Sequence, residues 1–118
     1  MPFLFRCYQY PYFENHKAKL EKGEKITILN WRNKNGGSFY YIRYVLDGNY
    51  LYITGDIGCA IFKFSEKADL ETIAKYYDFD YFKSKDITFI VDDKIIRLYL
   101  VGIKMAVKQL FWHKEEFF

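Results

Sequence analysis

Tyr50-Leu51-Tyr52-Ile53-Thr54-Gly55-Asp56-Ile57-Gly58-Cys59-Ala60-Ile61-Phe62 decides the fold. A Gly-Asp-x-Gly corner separates two runs rich in aromatic and β-branched residues, the composition of strands. Asp47-Gly48-Asn49 lies just upstream. It is a hairpin signal, because Gly and Asn accept the positive φ of a tight turn. Ser38 to Leu46, before that turn, carries bulk on both faces and reads as a central strand. Ile26, Ile28 and Asn30 alternate with Thr27, Leu29 and Trp31, so residues 25–31 form another strand. With strands at 50–54 and 59–64, the expectation is a three- to four-stranded antiparallel meander.

The period then changes. Leu70, Ile73, Ala74 and Tyr77 recur at i, i+3, i+4 and i+7, which predicts a helix over 68–77 packed on the sheet. Ser65 and Asp69 are its candidate caps. Residues 78–82 read as a short turn of helix. Residues 86–91 fit a strand or an extended loop. Residues 94–112 favour one long apolar helix, with Lys94, Arg97, Lys104 and Lys108 on a narrow stripe. The alternative is a strand over 95–101 followed by a shorter helix. At the other end, Pro11 and Gly23 bracket residues 12–22, which predicts a short surface helix. The fold class is α+β: one domain over 1–118, helices on one sheet face, and a long C-terminal helix.

Composition narrows the function classes. The chain has 118 residues, 51% hydrophobic and 28% charged, so it folds and is not a disordered tail. Tyr and Phe number 12 each. That density reflects either contact surfaces or the codon usage of an AT-rich gene. The net charge of +3 excludes the acidic surface of a DNA mimic. Residues 1–50 carry eight Lys and Arg against four Asp and Glu; residues 51–90 carry five against seven. Cys7 and Cys59 have no zinc-type spacing and read as buried thiols. No secretion signal and no run of 18 apolar residues is read, so the expected compartment is a cytoplasm.

Candidate chemistry is sparse. The glycines of the corner make a turn whose Asp56 either caps local N–H groups or faces a partner. Asp78 and Asp80 resemble a metal-binding pair without a third ligand, and read as solvated acids at a helix end. His16 and His113 sit among charged residues on helix surfaces, with no nucleophile signature beside them. No catalytic set, metal site or cofactor is expected. Arg32, Lys34 and Arg43, near Trp31 and Tyr40, suggest a partner-binding platform of cations and aromatics. The apolar arc of 94–112 exceeds what one small sheet covers. Leu98, Val101, Met105, Phe111 and Trp112 are therefore expected to bind a second copy of the chain.

From residue 51 to 62 the sequence resembles a family of small uncharacterised phage and prophage proteins with a strand, Gly-Asp-x-Gly-x-Ala, strand core. The likeness continues through 68–77 and Asp80-Tyr81-Phe82-Lys83-Ser84-Lys85, and covers roughly residues 40–92. Phe64 stands where that family usually has Trp. The resemblance implies a mobile-element origin; some anti-CRISPR proteins are similar in size and texture. The implied function is a stoichiometric inhibitor that binds a defence complex in the cytoplasm of a host bacterium. The rivals are a nucleic-acid-binding accessory protein and a small metal-dependent enzyme using Asp56, Asp78 and Asp80.

Overall fold

Alternation of side chains builds the sheet. The computed structural model describes residues 10–90 and 92–112. Five strands follow in order: β1 (His16–Lys22), β2 (Ile26–Asn33), β3 (Ile42–Asp47), β4 (Tyr50–Gly55) and β5 (Ala60–Lys63). Each pairs antiparallel with the next, in spatial order β1-β2-β3-β4-β5. One row across the sheet runs Leu20, Leu29, Tyr44, Ile53, Ala60; the neighbouring rows add Ala18, Trp31, Ile42 and Leu46, Leu51, Phe62. All but the half-buried Leu20 are buried. Among the described residues no helix packs against the opposite face, which carries Lys17, Arg32, Arg43, Tyr52 and Lys63.

The sheet has one strand more than the sequence predicts, because residues 16–22 are a strand and not the end of a helix. His16, Ala18 and Leu20 face the core while Lys17, Lys19 and Glu21 face out, a period of two. Two apolar residues in seven, Ala18 and Leu20, are too few for a packed helix but with His16 make one face of an edge strand. Pro11 opens only a 3₁₀ turn, Pro11–Phe13. Gly23 belongs to the β1–β2 turn, where its N–H donates to the Ile26 carbonyl at 2.8 Å.

Three helices follow: α1 (Leu70–Tyr76), α2 (Phe79–Ser84) and α3 (Asp93–Phe111). Each begins at an aspartate. Asp69, Asp78 and Asp92 accept N–H bonds from Thr72, Tyr81 and Lys94. These bonds satisfy donors that a helix start leaves open. The 94–112 segment is therefore one helix, as its periodicity favours. α3 covers the sheet with Ile96, Tyr99, Leu100, Ile103, Ala106 and Val107. Its surplus apolar arc meets α1 and α2 within the same chain. Lys104, on the narrow cationic stripe, reaches the α1 terminus and donates to the Ala74 carbonyl at 2.7 Å. Desolvation lowers its pKa, with Asp78 opposing that shift.

Both sheet edges are partly covered. On β1, Gln109 of α3 accepts from the Ala18 N–H at 2.8 Å and donates to the His16 carbonyl at 3.1 Å. On β5, residues 85–87 add two backbone bonds, Lys63 N–H to Lys85 and Ile87 N–H to Ile61. Of the two readings for 86–91, Asp86 and Ile87 thus lie extended along β5 without forming a named strand; Val91 lies outside the described residues. Covered edges resist pairing with other chains.

A close contact in the core lies where α3 crosses β3. The Tyr44 hydroxyl donates to the Tyr99 carbonyl at 2.7 Å. A Cβ on Gly102 would meet that hydroxyl at 2.3 Å and Trp31 at 3.3 Å. Full burial pushes the Tyr44 hydroxyl well above its ordinary pKa. Gly102→Ala gains helix propensity of up to about 1 kcal/mol but overpacks a rigid ring. It is expected to lower stability by about 1–3 kcal/mol, read as a lower urea midpoint at an unchanged slope.

Candidate functional site

The open sheet face gathers charge because β1, β2 and β3 each place cations outward. Lys17 and Lys19 come from β1, Arg32 from β2, Arg43 from β3, and Lys34 from the following turn. With Asn30, Asn33 and Tyr41 they line a shallow concavity of about 710 Å³ that no acidic residue lines. None of the five is ion-paired among the described residues. The Arg32 guanidinium lies 4.7 Å from the centre of the Tyr41 ring. The Tyr41 hydroxyl donates to Asn30 Oδ1 at 2.8 Å, which fixes the ring as a base for the arginine. Asn33 and Gly36 shape the adjoining turn, with Gly36 at φ 91° and its N–H on the Asn33 carbonyl at 2.9 Å.

Arg32, Lys34 and Arg43 come together, joined by Lys17 and Lys19. The lysines were hidden because they were assigned to a helix, where positions 17 and 19 do not share a face. Trp31 does not belong: it is 1% exposed and faces α3, since strand neighbours point to opposite sides. Tyr40 is half-buried, packs against the core and stacks on Tyr12 with ring centroids 4.1 Å apart. Tyr41 takes its place.

The Gly-Asp-x-Gly corner builds backbone. The Tyr40 N–H donates to Asp56 Oδ2 at 2.9 Å, and the Asp56 N–H donates to the Tyr41 carbonyl at 2.8 Å. A Cβ on Gly55 would lie 2.2 Å from that same carbonyl, and Gly55 stands at φ 138°. The corner therefore clasps residues 40 and 41 before β3 begins, and holds Tyr40 at φ 58°. The carboxylate of Asp56 is occupied by a cap, though the residue remains exposed.

Other candidates also find structural roles. Asp78 caps α2 and Asp80 lies in its first turn. Among the described residues no group of three or more His, Cys, Asp and Glu is placed to hold a metal ion. Cys59 is an exposed free thiol, not a buried one; Cys7 and His113 lie outside the described residues. Of the self-association set, Val101 is buried in the core. Leu98, Met105 and Trp112 pack partly against it, and Phe111 is 41% exposed. No helix among the described residues is long and apolar enough to cross a membrane.

His16 is likewise not on a helix surface. It is 5% exposed, lying against Phe13 and Trp31 with ring centroids 5.1 and 5.2 Å away. Its Nε2 donates to the Tyr40 carbonyl at 2.9 Å, and Nδ1 has no partner among the described residues.

No protein-family model, curated protein or solved structure matches the chain.

Burial lowers the His16 pKa, and the Tyr40 carbonyl offsets only part of that shift. The unfolded chain therefore binds the proton first as pH falls. Stability contributed by neutral His16 is full above the unfolded value of about 6.5 and is lost below it. In urea titrations from about pH 7.5 to about pH 5.5, the unfolding midpoint should fall. His16→Gln, which keeps a donor for Tyr40, should flatten that dependence.

Proposed function

We propose that this chain is a non-catalytic nucleic-acid-binding module whose ligand lies on the open face of the sheet. The observation that carries the reading is the set of five cations, drawn from three strands and a turn, around a concavity with no acid in its lining. A phosphate backbone meets such a surface through counterion release, and Tyr41 behind Arg32 keeps one guanidinium in place for it. The candidate acids support a binding role over chemistry, since Asp56, Asp69, Asp78 and Asp92 are used as backbone caps. A modest net charge of +3 is compatible because the cations are concentrated on one face.

Binding of a labelled oligonucleotide should weaken steeply with salt. Three to five contacts give a slope of log affinity on log salt of about −2 to −3.5. Lys17→Gln with Lys19→Gln, both exposed, should flatten that slope by about 1.4 and weaken binding without shifting the urea midpoint. A salt-independent affinity, or none for any polyanion at low salt, would remove the reading.

A second reading keeps the mobile-element origin that the corner motif implies, with a stoichiometric inhibitor binding a bacterial defence complex. One observation favours it. Phe39 is 80% and Phe89 is 88% exposed, and both sit on aspartate-clamped backbone. Tyr40, next to Phe39, is held by Asp56; Phe89 itself stands at φ 58° between Thr88 and Ile90, whose N–H groups both donate to Asp86 at 2.8 Å. Such backbone costs about 1–3 kcal/mol per residue and presents a preorganised aromatic. On this reading, Phe39→Ala with Phe89→Ala abolishes co-purification with a nuclease-type defence complex and leaves oligonucleotide affinity unchanged. Retention of the complex by that variant would count against it.

A further inference from the structure

The basic end of the open face continues into an aromatic one. The row Lys19, Asn30, Arg43, Thr54 is followed by Glu21, Ile28, Val45, Tyr52, Ile61, and then by Asp47, Tyr50 and Lys63. Tyr50 and Tyr52 are two residues apart on β4 and so share this face. Their rings are nearly parallel, 13° apart in plane with centroids separated by 6.0 Å. Lys63 Nζ lies 5.7 Å from the Tyr50 ring centre. Tyr52 stands directly across from Val45, and Arg43 is two residues along β3. Diagonal neighbours of that kind lie about 7–8 Å apart. One end of the face thus suits phosphates, and a neighbouring row suits the flat faces of bases.

Resting on the nucleic-acid reading above, we infer that the ligand is single-stranded, with its backbone along Lys17, Lys19, Arg32 and Arg43 and its bases on Tyr52 and Tyr50. Charge complementarity selects a polyanion, and the parallel rings of exposed Tyr52 and half-buried Tyr50 select one whose bases are free to stack. In a duplex each base is already stacked between its neighbours, so a duplex engages the cations alone. Stacking on an aromatic side chain is sequence-tolerant because every base offers a π face. Val45 and Ile28, both half-buried beside Tyr52, provide the apolar floor that such a base covers.

The test is fluorescence anisotropy at fixed low salt, using a labelled single strand, its duplex and a polyphosphate. The single strand should bind at least about tenfold more tightly than the duplex. Tyr52→Ala should weaken the single strand about tenfold and leave duplex and polyphosphate binding unchanged; Tyr52→Phe should restore it. Urea midpoints of both variants report whether the sheet is intact. If Tyr52→Ala and Tyr50→Ala leave single-strand affinity unchanged while Lys17→Gln with Lys19→Gln lowers it, the stacking platform is wrong and the basic face stands. Equal affinity for single strand and duplex also overturns the platform. If none of the three probes binds, the nucleic-acid reading itself falls.

Discussion

The hydroxyl of Tyr44 on the Tyr99 carbonyl, beside a Gly102 that leaves room for it, is the contact on which the architecture depends. It sits where the long helix crosses the central strand. A side chain at 102 would force helix and sheet apart, and a phenylalanine at 44 would leave a buried carbonyl without that bond. Close approach lets Ile96, Ile103, Ala106 and Val107 reach the sheet's buried rows. Each large side chain so buried contributes about 1.5–3 kcal/mol. Gln109 and Lys104 then tie the same helix to the β1 edge and to the end of α1.

Covering one face so completely determines what the other face does. All three helices follow the sheet in sequence, and α3 lies on its buried side with α1 and α2 against it. The open side is left with the outward residues of every strand: Lys17, Lys19, Arg32 and Arg43 in the rows at one end, and Val45, Tyr52, Tyr50 and Lys63 in the rows at the other. A meander also orders these residues simply, because consecutive strands are neighbours and their registers set the rows. The cationic row and the tyrosine row are thereby placed side by side without any loop having to carry them.

Parts of this were readable in the residues. Alternation in 26–31, the turn at Asp47-Gly48-Asn49, the i, i+3, i+4, i+7 spacing of Leu70 to Tyr77 and the long apolar run after Asp93 name their elements correctly, whereas the strand expected over 38–46 begins only at Ile42, after the Asp56 clasp on residues 40 and 41. The β1 strand was not readable, because Lys17 and Lys19 contribute no apolar signal and Pro11 and Gly23 imitate helix boundaries. Arg32, Lys34 and Arg43 were legible as a cationic group. Trp31 was misassigned because neighbours in a strand are close in sequence yet on opposite faces. The cover that α1 and α2 give to part of α3's apolar arc was not readable, because it is not encoded in α3's own sequence.

The sequence by itself determined the strand and helix periodicities, the Asp47-Gly48-Asn49 turn, the cap at Asp69 and the glycine corner as a turn, all of which are local: each depends on a few neighbouring residues and the geometry of one backbone element. The tertiary structure decided which face of the sheet is covered, that the corner aspartate closes onto Tyr40 sixteen residues away, and that lysines of β1 join arginines of β2 and β3. Those outcomes depend on register and on helix placement, which are set by the summed burial of many distant side chains and by close approach at Gly102. A lone basic residue on a strand carries no information about its neighbours across the sheet until the pairing is fixed.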